Sequence, residues 1–224
     1  MKIRTENLTR KYQVGSSEIA AVNGASMEID EDEFIAIVGP SGSGKSTLLN
    51  LIGLNEIPSS GKIFIDERDT SCSSRQELRK IRLSRMGFVF QTFNLFPTLN
   101  AIENIELPMS LTGKSGKAQS QKAMELLKAV GLEKRHLHRP KELSIGEMQR
   151  VAIARALAND PEIVIADEPT GELDSKTANE IIALLSDMNQ QLRTSVVVAT
   201  HDEKVVDAAD TIYRIQDGCL KLQN

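Results

Sequence analysis

One run of residues, Gly39-Pro-Ser-Gly-Ser-Gly-Lys-Ser-Thr47, restricts this chain more than any other. It fits the pattern G-x-x-x-x-G-K-[ST], which closes around phosphate when a strand leads into it and a helix leaves it. Both flanks are present: Phe34-Ile35-Ala36-Ile37-Val38 suits a buried parallel strand, and a helix is expected from about Ser46. Gly39, Gly42 and Gly44 permit a tight turn with inward N–H groups, Pro40, Ser41 and Ser43 complete the loop, and the helix N-terminus adds its positive dipole end. Lys45 is then placed to reach the β- and γ-phosphates of a nucleotide. The Ser46 hydroxyl, with Thr47 behind it, is placed to ligate Mg²⁺, a hard cation that takes oxygen donors. A chance match in a chain this long is on the order of 1% from average glycine usage, so a glycine turn that binds nothing is set aside.

Such a loop demands an α/β sheet, and two further apolar runs extend it. Ile163-Val164-Ile165-Ala166 leads to Asp167 and Glu168, and Ser195-Val196-Val197-Val198-Ala199-Thr200 leads to His201 and Asp202. In an open α/β sheet the ligand crevice lies at the carboxyl ends of the strands. There Asp167 can hold the Mg²⁺ shell while Glu168 faces an attacking water, and His201 can hydrogen-bond the γ-phosphate or that water. Taken singly, two adjacent acids read as solvated surface and one histidine as structural; their common position beside the phosphate loop favours chemistry. His136 and His138, in K-R-H-L-H-R-P-K, read as surface residues because no cysteine or carboxylate spacing completes a metal site.

At 224 residues, 40% hydrophobic and 26% charged, the chain can bury a sizeable core as one globular unit. No apolar stretch approaches about 18 residues and no basic-then-apolar leader opens the sequence, so a cytoplasmic location is expected. The net charge of −4, without a basic stripe or interleaved aromatics, argues against nucleic acid as a partner. Cys72 and Cys219 stand far apart and are expected to be reduced thiols.

Three regions differ in pattern. Lys62-Ile63-Phe64-Ile65-Asp66 alternates and suggests an antiparallel sheet beside the phosphate-loop core. Ile102 to about Leu157 reads as mostly helical, with Ala123, Leu126, Leu127 and Val130 on one apolar face, Gly131 as a stop and a helix over Met148–Leu157. Gly113–Lys117 reads as a surface loop. The remainder alternates helix and strand, with Ala178, Ile181, Ile182 and Leu185 packing a helix on the sheet. Thr92 to Met109 combines aromatics with prolines, and its pattern fits equally a docking surface and a buried loop-helix junction.

Beyond the phosphate loop and the Asp167-Glu168 pair, Leu143-Ser144-Ile145-Gly146-Glu147 occupies the place of the signature L-S-G-G-[QE]. With it the chain resembles the nucleotide-binding subunits of ATP-binding cassette (ABC) transporters along essentially its whole length. The fold this implies is α/β: a P-loop NTPase (RecA-like) core with a small antiparallel β subdomain, about 1–90 and 158–224, and a helical signature subdomain, about 91–157. The resemblance implies ATP and Mg²⁺ as cofactors, and hydrolysis of ATP coupled to transmembrane transport. Tyr12 matches the aromatic that stacks on adenine, although a tyrosine near a strand end also reads as packing. Gln91, in F-V-F-Q, matches the glutamine that serves the γ-phosphate site and the metal and links them to the membrane domain. Ser144, Gly146 and Glu147, with Asp174 in G-E-L-D, would complete the ATP site of a second copy, so that two chains sandwich two nucleotides. Ile145 departs from the pattern: a β-branched residue replaces the first signature glycine, and slower hydrolysis is expected. Glu172 also differs from relatives with asparagine there.

E-N-I-E-L-P-M, from Glu103, is similar to the corresponding segment of the LolD/MacB branch. This implies a homodimer, separate integral-membrane permease subunits, and a peripheral place on the cytoplasmic face of the inner membrane. The resemblance tilts Thr92–Met109 toward docking of a permease coupling helix. An ATPase of the cell-division type, relaying force without transport, fits nearly as well. A soluble ABC protein acting on DNA or ribosomes fits less, for want of a second cassette, a long coiled coil or a basic patch. No N-K-x-D motif supports a GTPase, and a small-molecule kinase leaves the signature segment unexplained.

Overall fold

The computed structural model describes residues 1–223. Along the chain run β1 (Ile3–Val14), β2 (Ser17–Ile29), β3 (Phe34–Val38), α1 (Lys45–Ile52), β4 (Ser60–Ile65), β5 (Arg68–Asp69), α2 (Arg75–Arg85) and β6 (Met86–Val89). Then follow α3 (Ala101–Leu111), α4 (Lys117–Ala129), α5 (Ile145–Ala156), β7 (Ile163–Asp167), α6 (Ser175–Leu192), β8 (Ser195–Thr200), α7 (Glu203–Asp207), β9 (Thr211–Gln216) and β10 (Cys219–Gln223).

Among the described residues these strands form two sheets. The larger has the order β10-β9-β3-β8-β7-β6 and is parallel except at β9-β10; the smaller is antiparallel, β2-β1-β4-β5. The apolar runs of the central strands are continuous because both faces of the sheet are covered. Phe34, Ala36, Val38, Val164, Ala166, Val196 and Val198 join the core beneath α3 to α6. Their alternate neighbours Ile35, Ile37, Ile163, Ile165, Val197 and Ala199 join a second core with α1 and the antiparallel sheet. Period-two side-chain alternation therefore splits each strand between two cores.

The antiparallel sheet lies where Lys62–Asp66 predicts it, but its strand stops at Ile65. Asp66 and Glu67 both take positive φ, 48° and 64°, and make a two-residue turn into β5. Helix α4 ends at Ala129 with Val130 as its cap, and Gly131 at φ 75° lies beyond it, as a glycine stop requires. Helix α5 starts at Ile145, three residues before Met148. Ser144 accepts from the Glu147 N–H and Glu147 reaches back to the Ser144 N–H, so the signature segment is itself the first turn. The expected α6 face is buried through Ala178, Ile181, Ile182 and Leu185. Helices α3 to α5 share one apolar cluster with the large sheet and are packed on it. No helix among the described residues is long and apolar enough to cross a membrane.

Candidate functional site

Strand register brings four chain segments to one edge. Val38 lies opposite Thr200, Ala199 opposite Asp167, and Ala166 opposite Val89. The residues that follow β3, β8, β7 and β6 are the 39–44 loop, His201, Glu168 and the stretch carrying Gln91, and all emerge at the carboxyl edge of the sheet.

Within the loop, Gly44 caps α1 at φ 106° and Gly42 sits at φ 78°. A Cβ on Gly44 would lie 2.1 Å from the Ala21 carbonyl oxygen, and one on Gly39 would lie 2.2 Å from that of Ile215. The loop is thus pressed against β2 and β9, and only glycine allows the approach. Lys45 is buried; its Nζ donates to the carbonyls of Gly39 (2.8 Å) and Pro40 (3.2 Å) and lies 3.3 Å from Glu168 Oε1. The lysine folds back over its own loop, where a multiply charged anion would outcompete two neutral carbonyls.

Glu168 takes φ 45°, a left-handed conformation that costs a residue with a side chain roughly 1–2 kcal/mol. Its N–H donates to the Ala199 carbonyl, Oε1 faces Lys45 and Oε2 lies 2.9 Å from Nδ1 of the exposed His201. Strain of this kind persists where neighbours hold it and clusters at working sites. Asp167 sits beside it, half-buried, with Oδ1 buried and no hydrogen-bond partner, as is Ser43 Oγ. Burial pushes the Asp167 carboxyl up from its ordinary range and Glu168 adds to this, while the Ser46 side chain and Lys45 act the other way. Ser46 and Asp167 are hard oxygen donors, and an unsatisfied buried carboxylate oxygen is what a divalent cation would satisfy, so the donor set fits Mg²⁺.

The other predicted residues are distributed around this centre. Gln91, exposed, sends Nε2 to Glu172 Oε1 at 3.5 Å and thereby touches the loop after β7. Tyr12 lies on β1; its hydroxyl donates to Glu56 Oε2 (2.6 Å), and the Arg10 guanidinium stands 4.8 Å from the ring centre. Ser144 and Glu147 cap α5, with Glu147 also 3.1 Å from Arg135 Nε. A Cβ on Gly146 would lie 2.6 Å from Thr177 Cγ2, and Asp174 caps α6 by accepting from the N–H groups of Lys176 and Thr177. The signature turn and the Asp174 turn therefore form one corner, and Ile145 stands on it half in solvent. His136 and His138 engage the Glu133 carbonyl and Arg135.

Two residues of this region escape a reading of the sequence. Arg155 donates to the carbonyls of Phe93 (2.8 Å) and Asn94 (2.5 Å), which lie just after Gln91 at φ 61° and 47°. The signal available was an arginine within the apolar helix segment Val151–Ala156. Glu56, which fixes the Tyr12 hydroxyl, gives no sequence signal at a separation of 44 residues.

A buried ammonium over a glycine loop, a carboxylate pair and an imidazole at one sheet edge constitute the means to hold a polyphosphate and activate water. Comparison with known proteins agrees. The profile of the ABC transporter family matches residues 22–171. The chain is 47% identical over 220 residues to the uncharacterized ABC transporter ATP-binding protein MJ0796 of Methanocaldococcus jannaschii, covering 96% of this chain and 94% of that one. It is 42% identical to the macrolide export ATP-binding/permease protein MacB of Vibrio parahaemolyticus, covering 96% of this chain and 33% of MacB. Among solved structures, a dimeric post-hydrolysis state of the ATP-binding cassette MJ0796 bound to ADP and Pi superposes with a TM-score of 0.92 at 44% identity, covering 99% of this chain and 98% of that one. This chain belongs to the ABC transporter family.

Proposed function

We propose that this chain is the ATP-hydrolysing subunit of a transporter of the LolD/MacB type, acting as a head-to-tail homodimer around two ATP molecules and driving a separate membrane permease in export or lipoprotein release. The observation that carries this reading is the meeting of Lys45, Asp167, Glu168 and His201 at the carboxyl edge of the sheet. The 39–47 loop cradles the phosphates with its N–H groups, and Lys45 exchanges the Gly39 and Pro40 carbonyls for β- and γ-phosphate oxygens. That exchange frees the Glu168 carboxylate from its ammonium neighbour. Glu168 then takes the proton of a water attacking the γ-phosphorus in line, while His201 and Gln91 orient that water. Ser46, Asp167 and Gln91 would hold Mg²⁺, whose positive charge offsets the charge developing on the phosphate oxygens. Tyr12, fixed at its hydroxyl end by Glu56, stacks on the adenine.

Ser144, Gly146, Glu147 and Asp174 act in trans. They lie on one corner built from the first turns of α5 and α6, and the α5 N-terminus offers a second anion-binding end to the nucleotide held by the other copy. The dimeric state of MJ0796 supports this arrangement. We divide the chain into a core with β subdomain, about 1–90 and 158–224, and a helical subdomain, about 91–157. The permease docks between them, in a cavity of about 550 Å³ to which Phe96, Leu107 and Pro108 of the 92–109 segment contribute. The fusion of ATP-binding and permease parts in MacB supports a membrane partner, and with it a place on the cytoplasmic face of the inner membrane.

Two experiments test this. Purified protein should hydrolyse ATP only with Mg²⁺, and Lys45→Ala should abolish nucleotide binding itself; retained binding would refute the loop assignment. Tagged protein recovered from detergent-solubilised native membranes with ATP should bring down a permease with a large extracytoplasmic domain. Recovery of only ribosomal or DNA-repair proteins would point to a soluble ATPase.

A further inference from the structure

Three side chains among the described residues carry buried polar atoms with no hydrogen-bond partner: Ser43, Asp167 and Gln149. The first two belong to the phosphate loop and the Mg²⁺ position. Gln149 is fully buried on α5, and both its Oε1 and its Nε2 are unpaired. Its polar neighbours on the helix are engaged: Glu147 with Arg135, Arg150 with Glu180, and Arg155 with the Phe93 and Asn94 carbonyls. A carboxamide buried with both halves unpaired destabilises a fold more than an apolar side chain of the same shape, so its presence calls for a use.

Helix geometry locates it. Helix α5 presses on β6 where a Cβ on Gly87 would lie 2.4 Å from the Ala156 carbonyl oxygen. The helix runs antiparallel to the strand, since its first turn meets Thr177 beyond the carboxyl edge and its last turn meets Gly87 near the start of β6. Gln149 lies on the buried face that Ala156 shares, about two turns earlier, and so about 10 Å nearer the carboxyl edge. Phe90, beyond Gly87 on the strand side, is also about 10 Å along an extended chain. Helical side chains lean toward the N-terminus, which carries the carboxamide to the level of the peptide joining Phe90 to Gln91. That peptide has capacity to spare: the Gln91 N–H donates to no described residue, and the Phe90 carbonyl accepts from the Phe93 N–H alone.

We infer that Gln149 is a positioning residue for hydrolysis. In the nucleotide-loaded protein its carboxamide binds the Phe90–Gln91 peptide, with Oε1 accepting the Gln91 N–H and Nε2 donating to the Phe90 carbonyl, and this fixes the Gln91 side chain. The inference rests on the role given to Gln91 above and adds what holds it. Without nucleotide, Gln91 is exposed and its side chain makes one long contact, 3.5 Å, with Glu172, which it leaves to reach the metal and the attacking water. The signature turn Ser144–Glu147 begins the same helix. A nucleotide gripped by that turn in the other copy's site therefore acts on Gln149, and through it on Gln91 of the same chain.

Gln149→Met keeps the length and removes both polar atoms. It should melt higher than wild type without nucleotide, yet lower kcat about tenfold, the scale of one hydrogen bond, with KM for ATP within about twofold. Gln91→Met should also lose turnover, and Gln91→Met/Gln149→Met should be no slower than Gln91→Met, because both changes act through one group. NMR of the sequentially assigned Gln149 side-chain amide reads the bond itself. In Glu168→Gln protein, its resonances should move downfield and its protons exchange more slowly with solvent when ATP and Mg²⁺ are added. That measurement stands even if Gln149→Met does not fold. Normal turnover or a lower melting temperature in Gln149→Met, or an amide resonance that nucleotide leaves unmoved, would overturn the inference and assign Gln149 to packing. Losses that multiply in the double variant would overturn the route through Gln91. Full turnover in Gln91→Met would overturn the role of Gln91 and this inference together.

Discussion

Gly42 and Gly44 stand two residues apart in the phosphate loop, both with positive φ, yet alanine at the two positions should have unequal effects. At Gly42 a Cβ meets nothing within 4 Å, so Gly42→Ala adds only the backbone strain of a left-handed residue, roughly 1–2 kcal/mol. At Gly44 the same strain applies, and the Cβ would also lie 2.1 Å from the Ala21 carbonyl oxygen and 3.2 Å from its carbon. Ordinary contact begins at 3.4 Å, so either the loop or strand β2 must move by about 1 Å, an overpacking that costs roughly 1–3 kcal/mol more. Gly44→Ala should therefore lose about 2–5 kcal/mol, and the difference between the variants is about 1–3 kcal/mol. Urea denaturation of the nucleotide-free proteins measures this directly, provided that the slope of the transition is shared. ATP turnover gives a second readout, since a displacement of about 1 Å in a catalytic loop costs on the order of 10²-fold in rate. Equal losses of stability, or a larger loss in Gly42→Ala, would refute the view that β2 shapes the loop by contact.

The Arg85 guanidinium bonds hold the Glu162 carboxyl down to about 2 from 4.5; a depressed carboxylate stabilises the fold above its unfolded value and ceases to do so as pH falls. Glu162→Gln should thus be less stable at pH 7, by under about 1 kcal/mol for so exposed a pair, and the gap should close between about pH 4.5 and 2 in thermal melts. Burial raises the Asp167 carboxyl, which has the opposite sign: its cost grows as pH rises above 3.8. Asp167→Asn should accordingly melt higher than wild type at pH 7 without nucleotide while losing Mg²⁺-dependent turnover, and a lower melting point would contradict the sign. Ile145 is half-exposed at the first position of α5, so Ile145→Gly should cost at most about 1 kcal/mol of stability and raise ATP turnover. Unchanged turnover would show that the side chain does not hinder the sandwich.

The residues differ in how much of this they disclosed in advance. Strands β3, β7 and β8 were legible because burial on both faces leaves unbroken apolar runs, and strand ends then located Lys45, Asp167, Glu168 and His201 on one edge. Helix α2 was not anticipated: it buries no residue fully, and only Leu78, Ile81 and Leu83 interrupt a charged run, although Ser74 and Glu77 form a capping box that announces its start. The same device at Ser144 and Glu147 moves the α5 start back to Ile145. The edge hairpin β9-β10 was not anticipated either, although Asp217-Gly218, both at positive φ between the strands, is the kind of pair that marks such a turn. By contrast, the Ala21 contact that requires Gly44, the Glu56 partner of Tyr12 and the Arg155 hold on Phe93 and Asn94 depend on segments far apart in sequence. Periodicity carries no information about such meetings.

Hydrolysis by the proposed mechanism depends most directly on Glu168, the carboxylate between Lys45 and His201. Glu168→Gln keeps the volume and one acceptor but removes the proton-accepting charge. Light scattering behind size exclusion, with ATP and Mg²⁺, should show this variant as an ATP-dependent dimer whose turnover is at least about 10²-fold below wild type. Normal turnover by Glu168→Gln, or a monomer at saturating ATP, would contradict the account.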